Sequence, residues 1–144
     1  MQQSKIKKTD PEKRLRRVLS ASTLEGDSVH NSAGESLGKV DEIMIDIPSG
    51  RIAYVVLSFG GVLGLGNKLF AIPWSAVTVD EDKKCLILDV DKQTLENAPG
   101  FEKDAWPDMA DTVWGAEIYH YYGASPYWEE EYPKERTFRG GGGM

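Results

Sequence analysis

Residues 51–59, RIAYVVLSF, constrain this chain more than any other stretch. Read as a strand, they place Ile52, Tyr54 and Val56 on one face and Ala53, Val55, Leu57 and Phe59 on the other. A strand apolar on both faces must be covered on both. A barrel interior supplies one cover, and an appended helix or a second subunit must supply the other. The apolar run is far too short to span a membrane.

Around this strand, residues 27–90 carry the punctuation of an all-β domain. Turn signals recur at residues 31–34 (NSAG), 48–50 (PSG), the glycine stretch after Phe59, and 80–84 (DEDKK). Ile43, Ile45 and Ile47 alternate with Met44 and Asp46, as in a strand facing a core on one side. Leu37 and Val40 do not share that parity, and a bulge near Gly38 or Asp41 reconciles them. The segments KLFAI, AVTV and CLILDV bring the count to about six, with Pro73-Trp74 ending the first of them. Six short strands in so few residues predict a mainly β fold, a small antiparallel barrel that is closed or nearly so, with short C-terminal helices.

The flanks differ in texture. Residues 1–17 hold seven Lys or Arg against Asp10 and Glu12, a charge of +5. With a total of −6, the remainder carries −11. We read 1–17 as a flexible basic arm and 18–100 as the barrel domain. Ser22-Thr23-Leu24-Glu25 has a capping-box pattern, enough for one helical turn. DKQTLENA, residues 91–98, reads as a brief helix. Residues 101–128 read as a helical, aromatic extension packing on the barrel, with Asp108 near the helix start and Gly123 as its stop. Trp114, Ile118 and Tyr121 follow i, i+4, i+7 spacing on its packing face. Residues 129–144, acidic and then glycine-rich, read as a disordered tail.

The candidates for chemistry are few. Gly61 and Gly66 have the spacing of a phosphate loop, but Asn67 precedes Lys68 and Leu69 stands where a hydroxyl is needed. The segment after the glycines is strand-like, so no helix N-terminus is there to hold an anion. His30 and His120 lie far apart, and the single Cys85 sits in an apolar run, which leaves little for a nucleophile–base pair or a metal site. The carboxylates lack the spacing of a calcium loop. We therefore expect no catalytic residue, no metal, no cofactor and no small-molecule substrate. The aromatics Trp106, Trp114, Tyr119, Tyr121, Tyr122, Tyr127 and Trp128 are interleaved with acids, which suits packing better than stacking on nucleobases. An acidic body also argues against nucleic acid.

With these pieces in place, residues 18–100 resemble the PRC-barrel family, named for the cytoplasmic part of the photosynthetic reaction-centre H subunit and recurring in the ribosome-maturation factor RimM. The resemblance rests on Gly26, Val29, Asn31, Gly34, Glu35, Leu37-Gly38, Asp46, Gly50, the strand from Tyr54 to Phe59, and Phe70 through Pro73-Trp74. It implies a PRC-type antiparallel β-barrel used as a protein-interaction module, with no catalytic residues to carry over. The aromatic tail is similar to the extension of a stand-alone bacterial subfamily loosely linked to stress or envelope contexts.

The expectation is a homo-oligomeric, cytoplasmic adaptor or stress-associated bacterial protein that binds a protein partner. Its candidate interface comprises Tyr54, Val55, Leu57, Phe59, Val62, Leu63, Leu65, Trp114, Ile118 and Tyr121. The apolar loop residues Val62, Leu63 and Leu65 are expected to be covered by the C-terminal arm or by a neighbouring subunit. Two alternatives place the chain as a ribosome- or RNA-associated maturation factor, or as an accessory of a photosynthetic or respiratory membrane complex. In either, the basic arm would supply the contact with RNA or with anionic lipid at a membrane periphery.

Overall fold

A computed structural model describes residues 17–60 and 67–129. One turn of helix, α1 (Ala21–Leu24), leads into six strands: β1 (Ser28–His30), β2 (Ser36–Asp46), β3 (Arg51–Gly60), β4 (Asn67–Pro73), β5 (Val77–Asp80) and β6 (Cys85–Leu88). Two helices come next, α2 (Lys92–Glu96) and α3 (Thr112–Tyr121), then a 3-10 turn at Tyr127–Glu129. The cap of α1 is Ser20, whose hydroxyl accepts from the Thr23 amide, so the helix starts two residues before the pattern with Ser22 as cap suggests. Helix α2 is capped by Asp91, whose carboxylate accepts from the Thr94 amide at 2.7 Å.

The six strands form one sheet in the order β4-β3-β2-β1-β6-β5. Two features of the expected antiparallel barrel need correction. First, the sheet is mixed: β1 runs parallel to β6, Val29 opposite Leu86, while the other neighbours are antiparallel. Turn spacing reveals only strands joined by hairpins, and β1 and β6 meet across most of the domain, where no turn dictates direction. Second, the sheet curls into a half-barrel without closing, since β4 and β5 do not pair. Pro73 and the 3-10 turn Trp74–Ala76 carry the chain across the opening. On β4 the outer edge takes Phe101 instead: the Leu69 amide donates to the Phe101 carbonyl and the Phe101 amide to that of Leu69.

Bulges set the curl. Pairing of β2 with β3 skips Asp41 between Val40 and Glu42, and skips Ala53 between Tyr54 and Ile52. The first is the bulge the parity conflict demanded. The second turns Ile52 onto the face of Ile43 and Ile45, where it pairs opposite Ile45, while the isoleucine stripe of β2 keeps its parity and runs out beyond the core. Ile43 packs against the core, but Ile45 is 52% exposed and Ile47 81%.

The interior holds Leu24, Val29, Leu37, Val40, Val55, Leu57, Phe70, Ile72, Leu86, Leu88, Leu95 and Ala98, all buried. Cys85 is a buried free thiol. Burial of this order, at about 25 cal/mol per Å2 of apolar surface, is the main stabilising term. The Asp91 cap adds a pH-dependent one. Hydrogen bonds from Thr94 hold the Asp91 carboxyl below its ordinary value. A depressed carboxyl stabilises above its unfolded pKa, and that contribution is lost as pH falls through the folded value, below about 4. The stability difference between wild type and Asp91→Ala, read from urea melts, is therefore expected at pH 7 and to shrink toward pH 3. A difference independent of pH would show that the cap is not the charged group.

Candidate interaction surface

The outer face of β3 and β4 is covered by the chain's own C-terminal extension. Ala53, Tyr54 and Ala71 from the sheet meet Ile118 and Tyr119 from α3 in a second buried cluster. It is largely aromatic. The Tyr54 ring lies edge-on to Trp114 at 5.4 Å and to Tyr119 at 5.5 Å, and Tyr119 in turn meets Trp128 at 5.6 Å. The Tyr119 hydroxyl donates to the Ala53 carbonyl at 2.6 Å, using the backbone group that the bulge frees. Gly115 lets α3 approach, since a Cβ there would lie 2.6 Å from the Tyr54 hydroxyl.

The same extension fastens the corner between β2 and β3. Arg51 donates through Nη1 to the Tyr127 carbonyl at 2.6 Å. Within the corner, the Ser49 hydroxyl donates to the Asp46 carboxylate at 2.6 Å and the Gly50 amide to the Asp46 carbonyl at 2.7 Å. Burial, with the Asp46 carboxylate beside it, pushes the Tyr127 phenol above its ordinary value. The corner is thus rigid, and it presents Ile47.

Beside it lies an open apolar groove of about 450 Å3. Ile43, Ile45 and Ile52 form one wall, Trp74 and Val79 another, and Val18, Leu19, Ala21 and Leu24 the third. Among the described residues, its charged lining groups are Arg17 and Glu81, which pair with each other at 2.8 Å. The groove is lined where β2 and β3 run past the end of β4, whose Pro73 pairs with Tyr54, so its lining is core-like in composition without being enclosed.

The residues singled out in the sequence fall in different places. Val55 and Leu57 are buried in the barrel interior, and Phe59 is half-buried there against Phe70. Tyr54, Trp114 and Ile118 come together under α3, on the opposite face of the sheet. Tyr121 stands apart, 36% exposed, its hydroxyl donating to the Thr94 carbonyl. Val62, Leu63 and Leu65 lie outside the described residues. Sequence reasoning misses the groove: Ile45, Ile47, Ile52, Trp74 and Val79 read as strand and turn residues without a surface role. Their signal is present in the run IMIDI, which is more apolar than a corner between two strands requires.

Among the described residues, no group of three or more His, Cys, Asp or Glu is placed to hold a metal ion, and no helix is long and apolar enough to cross a membrane. His30 and His120 stand on separate elements, β1 and α3.

A family model described as the PRC-barrel domain matches residues 16–95, more than half of the chain. No curated protein matches it. Among solved structures, the chain is similar to one named as the 16S ribosomal RNA processing protein RimM of Pseudomonas aeruginosa. The identity is 20% and the TM-score 0.37, over 52% of this chain and 45% of that one. The match thus spans less than half the length of that protein, and so distant a likeness carries no argument about partners.

Proposed function

The chain belongs to the PRC-barrel domain family, and from that premise we propose that it acts without catalysis, as a protein-interaction module whose docking surface is the apolar groove beside Ile45 and Ile47. One observation carries this reading. Val18, Ile45 and Ile47 are among the most exposed large apolar side chains described; Val18 and Ile45 line one concave, nearly uncharged surface, and Ile47 follows Ile45 by two residues in the turn that leaves it. Isolated exposed apolar residues are ordinary, whereas a contiguous patch beside a groove is typical of interaction sites. Anion chemistry fits this surface poorly, because among the described residues the one cation lining it, Arg17, is paired with Glu81.

A photo-reactive phenylalanine analogue at position 47, in the full-length protein, tests the proposal. Irradiation in an extract of its host is expected to trap a polypeptide, either this chain or another. Crosslinks to RNA alone, or none at all, would overturn it and favour the alternatives in which the basic segment makes the contact.

A further inference from the structure

Resting on that reading, we infer that the occupant of the groove is a second copy of this chain, docked about a two-fold axis with the Ile47 corner of each copy in the groove of the other. The first ground is that knob and hole belong to the same corner. Ile47 projects two residues beyond Ile45, which lines the groove with Ile52 across the hairpin. A surface carrying both halves of a complementary pair closes on itself in an isologous dimer.

The second ground is area. With Val18 89%, Ile47 81%, Ile45 52% and Leu19 42% exposed, each copy offers roughly 500 Å2 of apolar surface, so two facing copies would remove about 1,000 Å2, where specific interfaces begin. A patch of roughly 500 Å2 is toward the upper end of what a monomer leaves open to water, and patches of that size are often functional.

The third ground is charge. The chain carries −6, so two copies repel unless they meet through a surface with no net charge of its own. This one qualifies. Arg17 and Glu81 pair at 2.8 Å, Asp46 accepts from Ser49, and Arg51 is held on the Tyr127 carbonyl. Among the described residues the charges of this corner and groove therefore come in opposite signs, Arg17 with Glu81 and Asp46 opposite Arg51 in the β2–β3 register, which lessens the desolvation penalty of an apolar contact. The corner is also ordered before docking, which lowers the entropic cost of association.

Sedimentation equilibrium of the full chain from 1 to 100 μM tests the inference. Wild type is expected to be a dimer at the upper end. Ile47→Asp is expected to raise the dissociation constant at least ~30-fold, with circular dichroism and melting temperature unchanged, because Ile47 lies at the surface. Val113→Asp, an equivalent change at a residue 72% exposed on α3, is expected to leave the dimer intact. A wild-type monomer at 100 μM overturns the inference, as does a folded Ile47→Asp chain that dimerises like wild type. A monomer that still crosslinks a different polypeptide through position 47 overturns the second copy while sustaining the interaction-module reading.

Discussion

Gly38→Ala is expected to destabilise the fold by at least ~3 kcal/mol, a large fraction of the 5–15 kcal/mol typical of a domain. Gly38 sits in β2 with φ of 122°, a conformation that L side chains rarely adopt. Space is the greater obstacle. A Cβ there would lie 2.2 Å from the Ser58 carbonyl oxygen and 3.2 Å from the Phe59 Cα, both backbone atoms of β3. No rotamer change relieves such a contact; the strands must separate. They are paired on both sides at this point, Val29 of β1 opposite Gly38 and Ser58 of β3 opposite Lys39. The alanine would therefore disturb the centre of the sheet. Equilibrium urea unfolding followed by far-UV circular dichroism gives the answer. A loss below about 1 kcal/mol would mean that β2 and β3 do not approach as closely as described.

The architecture around that glycine is partly legible in the residues. Strand β3 can be read because alternation with a period of two survives wherever pairing is regular. Its need for two covers comes directly from that alternation, and the covers are the barrel interior and the C-terminal extension. The bulge at Asp41 is legible as a parity conflict between Leu37, Val40 and the isoleucines. The skip at Ala53 is not, since it lies inside a continuous apolar run where either parity looks buried. That skip hides one wall of the groove, because it sets Ile52 beside Ile45 against the alternation of β3, while the isoleucine stripe of β2 looks like core beyond the point where the core ends. The parallel pairing of β1 with β6 leaves no local mark at all. Tyr119 escapes for a related reason. The stripe through Trp114 and Ile118 extends to Tyr121 on an isolated helix. The chain returns at Tyr127 and Trp128, however, and builds a second wall against Tyr119, 6.1 and 5.6 Å away. A wall supplied by later residues has no signature in the helix's own periodicity.

Tyr54 is expected to separate what its ring does from what its hydroxyl costs. The ring is buried between Trp114 and Tyr119, and its truncation in Tyr54→Ala should cost about 4 kcal/mol, as for large aromatic side chains in cores. The hydroxyl is buried with no hydrogen-bond partner, and burial pushes its pKa above the ordinary range. An unsatisfied buried hydroxyl is unfavourable by about 1–3 kcal/mol, so Tyr54→Phe should be neutral or stabilising by about 1 kcal/mol. Gly115 provides an independent check, because a Cβ there meets that hydroxyl at 2.6 Å and the rim of the Trp128 ring at 2.8 Å. Trp128 is half-buried at the margin and can shift; the Tyr54 hydroxyl, held inside the cluster, cannot. Gly115→Ala should therefore be destabilising by about 1–3 kcal/mol in wild type, despite alanine's better helix propensity. In the Tyr54→Phe background the same change should be close to neutral, and the double-mutant cycle should give a coupling of about 1 kcal/mol or more. A Tyr54→Phe chain that loses more than about 1 kcal/mol would show that the hydroxyl has found a partner, water included, and the coupling to Gly115 would then vanish or change sign.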